Sequence, residues 1–131
     1  MSYRIDPHSP LPPSQQLVEA VVDAIARGAL GPGDRLPSVR QMAQDALVNP
    51  NTVGKAYREL EHAGLVEGQN GSGVFVLAQA PALARRRRRN ATLAELHGAI
   101  EMALRAGHDA TRIAREVENA LAAASATKGK P

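Results

Sequence analysis

Apolar positions return at helical spacing through most of the chain and at strand spacing in one short stretch. After the extended segment Ser9-Pro10-Leu11-Pro12-Pro13, Leu17, Val21, Ala24 and Ile25 fall on one helical face. A first helix is expected from about Pro13 to Arg27. Gly28 is placed to end it in a left-handed cap, and Gly31-Pro32-Gly33-Asp34 reads as a turn. Ser38 with Gln41 three residues on forms a capping-box pattern, opening a short second helix to about Asp45. Asn49 then caps a third helix with Pro50 at its first position, where a missing N–H costs nothing. Its buried stripe is Val53, Ala56, Tyr57 and Leu60, and Gly64 ends it. Leu65-Val66-Glu67 and Gly73-Val74-Phe75-Val76-Leu77 read as two strands. The Asn-Gly of Gln69-Asn70-Gly71-Ser72 joins them as a hairpin.

The second half is helical again. Leu93, Leu96, Ile100, Ala103 and Leu104 form one stripe, and Ile113, Val117, Ala120 and Leu121 a second, separated by Gly107-His108 with Asp109 as the next cap. The first tail helix has two readings. It starts at the Thr92/Glu95 capping box, or near Ala82 with the arginine run inside it; the longer helix is favoured. From Ala122 onward the pattern fades into a frayed end. The fold class is therefore mainly α with a small β-hairpin. A winged helix-turn-helix over residues 1–77 is followed by a linker or the start of a long basic helix over 78–90. A two-helix tail occupies 91–124 and a disordered end 125–131.

Composition narrows the functions open to this chain. Aromatics are 2% of it, so the core is built from Leu, Val, Ile and Ala. There is no cysteine, which removes disulfides, thiolate metal sites and cysteine nucleophiles. His8, His62, His97 and His108 lie in separate segments without close spacing, so no metal or cofactor is expected. No Ser/His/Asp constellation or phosphate-cradling glycine loop marks an enzyme. The start MSYRIDPHSP has no apolar signal core, and no stretch approaches the about 18 apolar residues of a membrane helix. A soluble, cytoplasmic protein without a membrane partner is expected.

The net charge of +3 is unevenly distributed. Residues 1–77 hold six Lys/Arg against eight Asp/Glu, a balance of −2. Residues 78–131 hold ten against five, a balance of +5, led by Arg85 to Arg89. That run either grips phosphates or is a solvated helix face, since five consecutive residues point around the whole cylinder.

Two short helices around a tight turn, followed by a hairpin, suit the major groove, which admits one α-helix. The third helix is the candidate reader. It presents Asn49, Asn51, Thr52 and Lys55 away from its apolar stripe. Helix N-termini aimed at phosphates let a domain of negative net charge bind DNA through one face. Double-stranded DNA is thus the expected partner.

The run from Gln16 to Val76 resembles the DNA-binding domain of the GntR family of bacterial regulators. The residues that carry the likeness are Ala29-Leu30-Gly31-Pro32-Gly33-Asp34-Arg35-Leu36-Pro37-Ser38-Val39-Arg40, then Asn49-Pro50-Asn51-Thr52-Val53 with Ala56, Tyr57 and Leu60, then Gly64-Leu65-Val66 and Gly71-Ser72-Gly73-Val74-Phe75-Val76. The short two-helix tail is similar to the YtrA-type subfamily, whose members carry no separate ligand-binding domain. The resemblance implies a homodimeric, operator-binding repressor. It places Ser38 and Arg40 of the second helix on DNA and Asn51, Thr52 and Lys55 in the major groove. Tyr57 would pack, with its hydroxyl near a phosphate. Arg58 is a further contact candidate, and Asn70 and Gly71 would form the wing tip at the minor groove. Relatives often respond to a small molecule, so an effector of unidentified chemistry is left open as a partner. Three positions depart from the pattern: Gly54 where an arginine is usual, Leu47 where the turn usually has glycine, and Gln69-Asn70 at a usually basic wing tip.

The tail stripes ask for a partner. Segments of about 40 residues rarely bury a core alone without metal or disulfide. Leu93, Leu96, Ile100, Leu104, Ile113, Val117 and Leu121 are expected to meet the same residues of a second chain. The alternative to a sequence-specific regulator is a nonspecific, nucleoid-type binder led by the arginine run.

Overall fold

The computed structural model describes residues 3–128, and these described residues fold into five helices and one hairpin. Helix α1 spans Pro13–Ala26, α2 Val39–Ala46 and α3 Pro50–His62. Strands β1 (Val66–Gln69) and β2 (Gly73–Val76) follow, then α4 (Ala80–Arg105) and α5 (Ala110–Lys128). Two compact units result, residues 1–89 and 90–131, with the division falling inside α4.

In the first unit α1 is the central post. Leu17, Val18, Val21, Val22, Ala24 and Ile25 are all buried, a wider stripe than the four positions read from spacing. The helix stops where Gly28 turns to φ +83°, a conformation glycine adopts without a Cβ clash. Ahead of α1 the Gln16 side chain holds the N-terminal arm. Its Oε1 accepts from the Asp6 N–H at 2.8 Å, and its Nε2 donates to the carbonyls of Asp6 and Leu11.

Both following helices start with the caps their sequences announce. The Ser38 hydroxyl accepts from the Gln41 N–H at 3.1 Å, while the Gln41 side chain accepts from the Ser38 N–H at 3.1 Å. The Asn49 carboxamide accepts from the Asn51 N–H at 2.8 Å, with Pro50 in the first turn of α3. Val53, Ala56, Tyr57 and Leu60 are buried, as the stripe predicts. Between the helices Leu47 takes the left-handed conformation itself, φ 57° and ψ 49°, with its side chain 88% exposed.

The hairpin pairs antiparallel, Val66 opposite Val76 and Gln69 opposite Gly73. The segment before α2 adds a third rung. The Leu36 N–H donates to the Val74 carbonyl at 2.8 Å, and the Val76 N–H to the Asp34 carbonyl at 2.9 Å. Arg35 bridges to Phe75, and its Nε would lie 2.7 Å from a Cβ added at Gly73, whose φ is +124°. Only glycine lets that arginine brace the wing so closely.

Helix α4 opens at Ala80 and takes in the arginine run. Its first turns belong to the first unit, because Ala80 and Ala84 are fully buried in that core. In the second unit the Asp109 carboxylate accepts from the Arg112 N–H at 2.8 Å and starts α5. The frayed end expected from Ala122, and the disordered end at 125–131, need correction as far as Lys128. The helix continues through that alanine-rich stretch, alanine being the strongest helix former. Residues 129–131 lie outside the described part. No helix among the described residues is long and apolar enough to cross a membrane.

Candidate nucleic-acid interface

The buried stripe of α3 fixes what its other face presents. Val53, Ala56, Tyr57 and Leu60 point into the core, so at 100° per residue Asn51, Lys55, Arg58 and His62 form a row on the opposite side. All four are exposed. The row offers amide, ammonium, guanidinium and imidazole groups, which together donate and accept on base edges and phosphates. Thr52 stands beside it, half-buried. His62 joins this row without having been singled out from the sequence. The signal for it is its spacing: it stands seven residues after Lys55 and four after Arg58, which keeps it on the same face.

The other expected contacts are distributed around this row. Arg40 is exposed in the first turn of α2. Ser38 and Asn49 use their side-chain oxygens as helix caps, so each holds the end of a helix whose free N–H groups point outward. Asn70 and Gly71 are exposed at the hairpin tip, where the Ser72 N–H donates to the Gln69 carbonyl at 3.0 Å. Gly54 leaves a gap on the α3 surface that Arg58 occupies. A Cβ built at Gly54 would lie 3.3 Å from Arg58 Nη1. The guanidinium therefore leans one turn back, toward the leading end of the helix.

Tyr57 needs a correction. Its hydroxyl donates to the Pro37 carbonyl at 2.6 Å, and the ring is buried. It ties the segment before α2 to α3 and leaves no hydroxyl for a phosphate. Burial pushes its phenol far above the usual tyrosine range, with the neighbouring Tyr3 adding to the shift. Burial raises Tyr3 as well, against a smaller opposing effect of Arg27.

The arginine run divides by role, which spacing alone does not reveal. Arg87 Nη2 lies 2.9 Å from Glu19 Oε1, and Arg88 lies 3.8 Å from Asp23 and 4.0 Å from Glu19. Arg87 and Arg88 therefore fasten α4 to α1 within the first unit. Arg85, Arg86 and Arg89 are exposed.

In the second unit every described side chain is at least partly exposed. Leu93 is 66% exposed and Leu121 64%. Ile100, Ile113 and Val117 are half-covered and line an apolar groove of about 460 Å³ between α4 and α5, with Leu96, Ala99 and Ala103. Leu104 lines its continuation on the other side of Ile100.

Comparison with known proteins bears on both units. Residues 13–76 match the model of the bacterial regulatory proteins of the gntR family. The chain is 42% identical over 73 residues to the HTH-type transcriptional repressor YtrA of Bacillus subtilis, a match that spans 56% of this chain and 56% of that protein. The chain thus covers little more than half the length of that relative. A transcriptional regulator from Oenococcus oeni, known by crystal structure, is 32% identical. Its TM-score is 0.72, and the likeness covers 89% of this chain and 97% of that one, reaching into the tail helices. YtrA from Sulfolobus acidocaldarius, a GntR-family transcription factor, is 33% identical with a TM-score of 0.58, covering 72% of this chain and 99% of that one. With the capped helix pair, the hairpin wing and the short helical tail, these matches establish that the chain belongs to the GntR family of bacterial DNA-binding transcription regulators and resembles its YtrA-type members.

Proposed function

We propose that this chain is a sequence-specific transcription regulator that binds a palindromic operator as a homodimer and represses from it. The observation that carries the reading is the exposed row along α3, opened by the Asn49 cap and backed by a fully buried stripe. A helix anchored on one side and polar on the other can enter the major groove without disturbing its own packing. Asn51, Thr52 and Lys55 read base edges, with Arg40 on the neighbouring backbone. Asn70 and Gly71 bring the wing tip to the minor groove. The repressor sense is carried over from the Bacillus subtilis relative, a repressor by name.

The tail supports the dimer. A helix pair whose apolar stripes stay open to water loses about 25 cal/mol for every Å² of apolar surface it leaves uncovered. A second copy offers the same stripes, and a two-fold axis lets one patch cover itself. Leu93, Leu96, Ile100, Leu104, Ile113, Val117 and Leu121 form that interface. Two reading helices are then available to half-sites about one turn of DNA apart.

Selection of duplexes from a random pool tests the reading. A two-fold site should emerge, bound with Kd of about 10⁻⁸ to 10⁻¹¹ M. Lys55→Ala and Arg40→Ala should weaken binding to it without changing the mass of the protein in sedimentation. Equal binding to every duplex would replace this account with the nonspecific, nucleoid-type one.

A further inference from the structure

The outer row of α3 extends past the turns that face bases. From Asn51 to His62 it runs eleven residues, about 16 Å at 1.5 Å per residue. The major groove is about 12 Å wide. A helix with its leading turns at the base edges therefore brings its last turn to the phosphate wall. From Lys55 to that end an open groove of about 520 Å³ runs between α3 and α4, lined by Lys55, Arg58, Glu59, His62, Ala63 and Arg87. Three fixed cations and one carboxylate line it, with Glu19 paired to Arg87 as a second carboxylate, a balance of +1, and His62 adds a ring nitrogen.

Arg87 is the unexpected member. It comes from a helix outside the reading pair, and its ion pair with Glu19 holds the guanidinium in place. A guanidinium has five N–H donors. The bond to Glu19 Oε1 is made through Nη2, so further donors remain for the groove. The side chain keeps 38% of its surface open. A held, partly open arginine beside a second arginine and a lysine is suited to a multiply charged oxygen group.

We propose that this groove seats a backbone phosphate of the duplex just outside the bases read by Asn51, Thr52 and Lys55, with Arg58 and Arg87 as its cationic walls. This inference rests on α3 being the reading helix, and it adds α4 to the DNA-binding surface. Such a phosphate site sets register and affinity and carries no base information.

The salt dependence of binding reads it directly. The full chain is titrated onto the duplex that the unaltered protein selects from a random pool, between about 50 and 200 mM salt. Removing the cation that neutralises one phosphate lowers the slope of log K against log salt by about 0.9 for duplex DNA. Arg87→Gln should flatten the slope by that amount per bound subunit, so that the affinity of a bound dimer falls about 12-fold less across the fourfold salt range. It should weaken selected and scrambled duplexes by the same factor. Glu19→Gln removes the same ion pair but keeps the cation, so its slope should stay as in the unaltered protein. An unchanged slope in Arg87→Gln overturns the proposal, and so does an equal flattening in Glu19→Gln, which would mean that Arg87 merely docks α4. Selection of a duplex with either result sinks this inference alone. Failure to select any duplex sinks the DNA-reading account with it.

Discussion

Leu47 holds the turn between α2 and α3 in a conformation that disfavours side chains, and this can be measured. Its φ of 57° and ψ of 49° put Cβ against the following carbonyl, at about 1–2 kcal/mol for an L-residue. Glycine removes that clash but gives the unfolded chain more freedom, a loss of about 0.4–1 kcal/mol. The leucine is 88% exposed, so little burial is at stake. Comparing Leu47→Gly with Leu47→Ala cancels even that, because both delete the same apolar atoms beyond Cβ. The glycine form should be the more stable by about 0.5–1 kcal/mol, the clash less the added freedom. Gln44, exposed inside α2, supplies the opposite case: there Ala should exceed Gly by about 1 kcal/mol. Urea denaturation at one fixed protein concentration gives the four midpoints, with equal slopes required for the comparison. A Leu47→Ala protein as stable as Leu47→Gly would refute the strain argument.

Further outcomes are expected for the two tyrosines, Gly54 and the tail. Tyr3 and Tyr57 titrate higher in the folded chain than their ordinary 10.0, so the stability they contribute is full below pH 10 and declines as pH rises above it; denaturation midpoints at pH 8 and about 11 should differ, and Tyr57→Phe should shrink the difference. Tyr57→Phe should also lower stability at neutral pH by about 0.5–3 kcal/mol by removing the donor to the Pro37 carbonyl, measured by the same denaturation. Gly54→Ala should raise stability by about 1 kcal/mol while displacing the Arg58 guanidinium, a gain seen in thermal melts together with altered base preference on the selected duplex. Ile100→Asp should place a charge in the apolar groove of the tail and yield a monomer; a dimer by sedimentation at micromolar concentration would show that the interface lies elsewhere.

Local chemistry is legible along the chain because its partners are near in sequence. The Ser38/Gln41 box, the Asn49-Pro50 opening of α3, the stripe ending at Leu60 and the hairpin at Asn70-Gly71 each depend on residues within a few positions. Periodicity then decides which face of α3 turns outward, and with it Asn51, Lys55 and Arg58. Tertiary structure decides what depends on distant groups. The Tyr57 hydroxyl meets a carbonyl twenty residues away, and Arg87 meets a carboxylate sixty-eight residues away. A run of five arginines is uniform as sequence, and packing against α1 brings Arg87 and Arg88 to its carboxylates. Ala80 and Ala84 read as linker-like small residues until the core closes over them. Helical and turn preferences act over a few residues and are written locally, whereas side-chain partners across the core exist only once the elements have packed.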